Sequence, residues 1–204
     1  MRLGILGGSF NPIHIGHLLM GCAAAEAFQL DRVLLVPCAV SPFKVGTVDL
    51  APGADRLEMV RRSVAGDPLF EASDLDLTRG GVSYTVESVR ALHARYPEAR
   101  LFFIIGGDSL RELSRWYKID EILELCDVIT VLRPGMALAL DEALAPFPEA
   151  VRARLRQHTI RGRTCEVSSS EIRRRIAEGR SIRYLVCPEV EAYIRERGLY
   201  AVGK

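Results

Sequence analysis

An apolar run, Arg2 to Leu6, ends on Gly7-Gly8, and a short segment later the chain takes up helical periodicity at His17. A strand that empties through glycines into a helix is the first half of a βα crossover unit, and no other feature constrains the fold as much. The pattern then repeats. Strands are expected at Arg2 to Leu6, Arg32 to Val36, Phe70 to Ala72, Arg100 to Ile105 and Val128 to Leu132. Helices are expected at His17 to Phe28, Ala54 to Ala65, Thr85 to Tyr96 and Asp120 to Leu125. The first strand is apolar on both faces, as a central strand covered from both sides must be. These elements imply an α/β fold with an open, mostly parallel, doubly wound (Rossmann-like) sheet and a small C-terminal helical region. A charged helix at Glu149 to Gln157 leads into that region, which carries helices at Ser169 to Glu178 and Pro188 to Arg197. Gly135 to Pro148, rich in Ala, Leu and Pro, suggests no function.

A chain of 204 residues can bury a full core, and two complete domains are not expected. Residues 1–204 read as a single domain, with 158–204 as its C-terminal region. With 27 Lys and Arg against 26 Asp and Glu, there is no general basic field of the kind that holds nucleic acid, so any anion binding must be local. The five cysteines are spread out with no C-x-x-C pair, which suits a reduced, cytoplasmic protein. No apolar run approaches the ~20 residues that span a bilayer. The N-terminus reaches Gly-Gly-Ser too soon for a signal peptide, so no membrane association is expected.

The junction after the first strand reads Gly7-Gly8-Ser9-Phe10-Asn11-Pro12-Ile13-His14-Ile15-Gly16-His17. In an open α/β sheet, ligands sit beyond the carboxyl ends of the strands, where helix N-termini present free N–H groups to anions. Gly7 and Gly8 clear space for a close ligand, and Gly16 lets the helix begin tight against it. His14 and His17, three residues apart, can converge on one phosphate. Neither G-x-x-x-x-G-K-[ST] nor G-x-G-x-x-G occurs here. H-x-x-H lacks a nearby third ligand of metal type, so no protein-held metal is expected. Near the other end, Val167-Ser168-Ser169-Ser170-Glu171-Ile172-Arg173 offers a capping box from Ser168 to Glu171, further hydroxyls, and Arg173 on the first turn. On its own this is an ordinary capped helix; beside the first motif it reads as a second anion cradle.

Together, G-G-S-F-N-P-I-H-I-G-H and V-S-S-S-E-I-R resemble the [HT]-x-G-H and I-S-S-[ST]-x-[IL]-R signatures of the nucleotidylyltransferase superfamily, and within it the bacterial nicotinate-nucleotide adenylyltransferase family. The likeness extends through Pro37 to Lys44, Asp55 to Met59, Ser83 to Glu87, Ile105 to Asp108, Trp116, Leu132 to Gly135, and Arg183 to Tyr200. It implies an enzyme that joins ATP to nicotinate mononucleotide, with Mg²⁺ carried by the ATP phosphates. By that resemblance His14, His17, Lys44 and Arg173 would be catalytic, neutralising and aligning the polyphosphate, with His17 nearest the transferring α-phosphoryl group. Gly7, Gly8, Ser9, Phe10, Gly16, Gly106, Asp108, Ser168, Ser169 and Ile172 would form the ATP site, with Gly106 and Asp108 at the ribose. Thr85, Trp116 and Arg133 would hold nicotinate mononucleotide. The family often reads P-H-K where this chain has Pro42-Phe43-Lys44, so the neighbouring imidazole is absent.

From the residues alone, plainer roles stay open. Lys44 can be a solvated lysine, Asp108 a helix cap, Trp116 a core residue and Thr85 a helix start. A sister enzyme acting on another phosphate, such as phosphopantetheine, and a non-catalytic nucleotide-binding regulator are the competing functions. The oligomeric state is open, a homo-oligomer included.

Overall fold

The computed structural model describes residues 1–42, 50–132, 140–163 and 165–201. Among the described residues six strands form one sheet: β1 (Arg2–Gly8), β2 (Arg32–Pro37), β3 (Phe70–Ala72), β4 (Arg100–Gly106), β5 (Asp127–Leu132) and β6 (Thr159–Arg161). Their order is β3-β2-β1-β4-β5-β6, and the β1–β4, β4–β5 and β5–β6 pairs are parallel. The helices are α1 (Ile15–Phe28), α2 (Gly53–Ser63), α3 (Leu75–Arg79), α4 (Thr85–Arg95), α5 (Gly107–Glu112), α6 (Ile119–Leu125), α7 (Leu140–Leu144), α8 (Glu149–Gln157), α9 (Ser169–Ala177) and α10 (Pro188–Arg197). The doubly wound reading therefore holds. The order reverses between β1 and β4, and that switch point is where such sheets open a crevice beyond their carboxyl ends. Among the described residues no helix is long and apolar enough to cross a membrane.

The chain divides into two compact units. The first comprises Met1–Gly7, Leu19–Leu34 and Tyr84–Thr164. Its core includes the buried Leu101, Phe102, Ile104, Val128 and Ile129 of β4 and β5, with Val86, Val89 and Leu92 of α4 and Ile122 of α6 also buried, and the Phe102 ring lies 6.0 Å from that of Phe28. The apolar runs of β4 and β5 are buried throughout apart from their ends, as strands covered on both faces must be. The second unit comprises Gly8–Leu18, Leu35–Ser83 and Cys165–Lys204. There α10 packs on α2. Tyr193 donates its hydroxyl to buried Asp55 at 2.7 Å, Arg197 reaches the same carboxylate at 3.3 Å, and the Arg62 guanidinium lies 4.4 Å from the Tyr193 ring centre.

Some boundaries differ from the sequence reading. Gly7 and Gly8 complete β1, which the sequence reading ended at Leu6, because a parallel ladder needs only backbone groups and leaves glycine in place at a strand end. The first helix begins at Ile15, two residues before His17, so His14 precedes it. Three short helices, α3, α5 and α7, and the three-residue β6 had no legible period. Segments of five or six residues hold too few apolar positions to show one.

The packing around β1 explains Gly4. A Cβ there would sit 2.8 Å from Leu30 Cδ1, 3.1 Å from Val33 Cγ2 and 3.2 Å from Ile104 Cδ1. Three core side chains would have to move for one methyl group. Gly4→Ala should cost roughly 1–2 kcal/mol, with overpacking outweighing the entropic gain of replacing glycine. Urea unfolding should show a lower midpoint with an unchanged slope.

Candidate active site

The glycine-histidine motif and the serine-arginine motif meet inside the second unit. After β1 the chain passes through Phe10, buried with φ +45°, and a cis Asn11–Pro12 bond to His14. A bulky residue in the left-handed region is disfavoured, so burial of the ring has to hold it there. The peptide groups around this bend are fixed from three directions. Ser169 Oγ donates to the Pro12 carbonyl at 2.9 Å, and Arg173 donates to the Asn11 carbonyl at 2.8 Å. The Asn11 side-chain oxygen accepts from the Tyr200 hydroxyl at 2.8 Å and from the Ala51 N–H at 3.0 Å. Ser168 caps α9, as its spacing predicted, by accepting the Glu171 N–H at 3.1 Å.

The two imidazoles lie face to face, with ring centres 3.7 Å apart and planes tilted by 26°. His14 is 7% exposed and His17 half-buried in the first turn of α1. The His14 backbone N–H donates to His17 Nδ1 at 3.2 Å, which fixes the tautomer. A neutral imidazole that accepts at Nδ1 carries its proton on Nε2, so His17 presents Nε2–H as a donor. The Phe10 ring stands edge-on to His17 at 5.0 Å and limits its rotation. Gly16 lies in the first turn of α1. A Cβ there would meet the His14 ring at 3.1 Å, so glycine makes room for the stacked pair.

Arg56, a residue to which the sequence reading gave no role, organises this region. Its side chain is 1% exposed, and among the described residues it is held by backbone carbonyls and not by a carboxylate. Nε donates to Ala51 at 3.0 Å, one terminal nitrogen to Ser9 at 2.8 Å and Cys38 at 2.7 Å, and the other to Ala39 at 3.3 Å. Burial lowers its pKa from the usual 12.5, but a guanidinium keeps its charge in proteins. The available signal was a charged pair, Asp55-Arg56, directly before the apolar positions Leu57, Met59 and Val60 of a helix.

Within the second unit the structure thus gathers Gly8, Ser9, Phe10, His14, Gly16, His17, Ser168, Ser169, Ile172 and Arg173. Ser9 and Ser169 are half-buried and Ser168 exposed, whereas Ile172 is wholly buried and its side chain belongs to the core. Gly7, Thr85, Gly106, Asp108 and Trp116 fall in the first unit. Gly7 and Gly106 end the adjacent strands β1 and β4, and a Cβ on Gly7 would meet Phe103 at 3.2 Å. Asp108 is exposed in the first turn of α5, whose N-cap is Gly106 and which has no side-chain cap, so the capping alternative fails. Thr85 does open α4. Trp116 is half-buried, edge-on to Phe103 at 5.8 Å, and so is not the fully enclosed core residue of the plainer reading. Lys44 and Arg133 lie outside the described residues. Among the described residues no three His, Cys, Asp or Glu gather to hold a metal ion.

A parallel sheet with its switch point between β1 and β4, and a His-x-Gly-His turn tied to a serine-arginine helix start, define a nucleotidyltransferase-type α/β protein. The cytidylyltransferase-like family model matches residues 5–175. A protein of Citrifermentans bemidjiense described as "Probable nicotinate-nucleotide adenylyltransferase" is 46% identical over 215 residues, covering 98% of each chain. One of Pelobacter propionicus with the same description is 40% identical, covering 98% of this chain and 99% of its own. The chain belongs to the nicotinate-nucleotide adenylyltransferase family. A solved structure of Plasmodium falciparum nicotinic acid mononucleotide adenylyltransferase complexed with NaAD shares the fold, with a TM-score of 0.75 at 18% identity, covering 98% of this chain and 97% of that one.

Tyr200 supplies a test of how the C-terminal segment holds the motif. Burial raises its phenol pKa above the usual 10.0 by disfavouring the charged phenolate, and the neutral hydroxyl donates to Asn11. The folded protein therefore keeps the full benefit below pH ~10 and loses it as pH climbs toward the raised value, where the unfolded phenol has already ionised. Tyr200→Phe should cost about 1 kcal/mol at neutral pH. Melting curves on the alkaline side of pH 10.0 should fall more steeply for the wild type than for the variant.

Proposed function

We propose that the protein transfers the adenylyl group of ATP to nicotinate mononucleotide, releasing pyrophosphate and forming nicotinate adenine dinucleotide, as a cytoplasmic enzyme of NAD biosynthesis. The observation that carries this reading is the direct hydrogen bonding of the two phosphate motifs, Ser169 to Pro12 and Arg173 to Asn11, in a chain of this family. In the reaction a phosphate oxygen of the mononucleotide forms a bond to the α-phosphorus of ATP as the bond to the pyrophosphate oxygen breaks. The acceptor oxygen is already ionised, so neither a side-chain nucleophile nor a general base is required. The protein aligns two anions and neutralises their charge.

In this reading His17 donates Nε2–H to the α-phosphoryl region and His14 stacks behind it, while Arg173, Lys44 and the backbone at Gly8, Ser9 and Phe10 meet the polyphosphate. Ser168 and Ser169 line the nucleotide site, Gly106 and Asp108 take the ribose, and Thr85, Trp116 and Arg133 take the mononucleotide. A Mg²⁺ ion bound to the phosphates would need no protein cage, and it would neutralise polyphosphate charge. Nucleic acid is not a partner in this proposal, and a homo-oligomer remains compatible with it.

The His17 donor is fixed before reaction, so it should act where charge develops in the transition state. His17→Ala is expected to lower kcat by roughly 10²–10³, ~3–4 kcal/mol, while leaving KM for ATP within severalfold. Steady-state kinetics with circular dichroism as a folding control checks this. A raised KM with normal kcat would make His17 a ground-state binder instead.

The acceptor is tested by pyrophosphate release with ATP or CTP against nicotinate mononucleotide, nicotinamide mononucleotide and phosphopantetheine. The expected ranking puts ATP with nicotinate mononucleotide first, because a carboxylate accepts charge-assisted bonds that an amide cannot match. Equal kcat/KM for the two mononucleotides would remove the acid preference. No pyrophosphate with any pair would favour a regulator.

A further inference from the structure

At the amino ends of the strands, away from the glycines that close β1 and β4, the first unit holds a cavity of about 500 Å³. Arg2 at the start of β1, Arg100 at the start of β4 and Arg154 on α8 supply its charge. Phe28, His158 and Ile160 supply much of its apolar and aromatic wall. With seven-residue strands, it lies about 20 Å along the sheet from the switch point. Nothing in the proposed adenylyl transfer uses these residues.

The arginines are held in place but not consumed. Arg2 and Arg100 both pack over the buried Phe102 ring, at 4.7 and 5.2 Å from its centre, which brings two like charges to one aromatic. Arg2 donates Nε to the Phe28 carbonyl at 2.7 Å, and Arg154 donates one terminal nitrogen to the Leu123 carbonyl at 2.6 Å. Asp127 is the carboxylate shared by Arg100 and Arg154. It accepts from Arg100 at 2.8 and 2.7 Å and stands 3.9 Å from Arg154. The Asp31 carboxylate accepts the backbone N–H of Arg2 at 2.6 Å. Three guanidinium groups against the carboxylates of Asp127 and Asp31 leave the lining net positive, and among the described residues several terminal N–H groups remain uncommitted. His158 is 7% exposed, its Nδ1 lies 3.6 Å from Asp127, too far for a hydrogen bond, and that nitrogen has no hydrogen-bond partner among the described residues. Burial pushes the His158 pKa down, so the ring adds no charge at neutral pH.

We propose that this cavity is a second binding site, outside the proposed transfer chemistry, for a dianionic organic phosphate monoester. Guanidinium forks match the paired oxygens of a phosphate, and a net positive lining with uncommitted N–H donors favours an anion. A bare phosphate would fill little of a cavity in the size range of organic-ligand pockets, and it would leave the wall of Phe28 and Ile160 uncovered. The ligand therefore carries an apolar or planar group beside its phosphate.

Phenyl phosphate, a dianionic ester with a planar ring, is a suitable probe. The chain has four histidines, so in protein labelled with ¹³C-histidine the His158 ring signal can be assigned by its loss in His158→Gln. Phenyl phosphate should shift that signal saturably. Arg154→Gln and Arg2→Gln, chosen so that one can stand if the other fails to fold, should each weaken the binding about tenfold or more. Inorganic phosphate should bind at least about tenfold more weakly than the ester, having no group to cover the apolar wall. Shifts confined to His14 and His17, or a His158 shift that survives both arginine variants, would overturn the site. Equal affinity for inorganic phosphate would overturn its assignment to an ester.

Discussion

The buried Arg56 guanidinium is the contact on which the arrangement of the second unit depends. A charge 1% exposed is costly unless hydrogen bonds replace its hydration, and here backbone carbonyls do so. Those carbonyls belong to segments far apart in sequence: Ser9 after β1, Cys38 and Ala39 after β2, and Ala51 before α2. One side chain thus ties together the loops that leave two strands and the start of a helix. Loss of Arg56 would leave several buried acceptors unsatisfied at once, which is more damaging than the loss of any one bond. The Cys38 N–H to Gly8 carbonyl bond, at 2.9 Å, belongs to the same frame.

On that frame the residues of the proposed transfer site are oriented by backbone groups. His17 is a directed donor because the His14 N–H occupies its other nitrogen, and the stacked pair fits because Gly16 has no side chain. The serine-arginine helix start fixes the carbonyls of Asn11 and Pro12. Asn11 is the meeting point, reached from Arg173, Tyr200 and Ala51. Such preorganisation is what positions donors for a reaction with little covalent work for the protein.

Much of this was legible beforehand where local chemistry decides. The strands with long apolar runs appeared within a residue or two of their places, α8 and α10 matched to the residue, and the Ser168 cap followed from its spacing to Glu171. The two motifs could be paired only through resemblance, because nothing in 157 residues of separation indicates that Ser169 bonds to Pro12. Arg56 escaped for the same reason. A single arginine in a helix reads as solvated surface until the carbonyls around it are known. The arginine cavity was equally hidden, since Arg2, Arg100 and Arg154 each look like an isolated terminal charge.

What the sequence determined by itself is therefore the set of elements and the chemistry of each motif: apolar period sets strand or helix, and serine, glycine and histidine at close spacing set caps, clearances and donors. The tertiary structure alone decided how those pieces act together. It set the strand order that places the switch point between β1 and β4, the tautomer of His17, the close packing that Gly4 permits, and the burial of Arg56. The physical reason is range. Propensity and capping act within a few residues, whereas desolvation and hydrogen-bond satisfaction depend on which distant backbone groups the folded chain brings to a side chain.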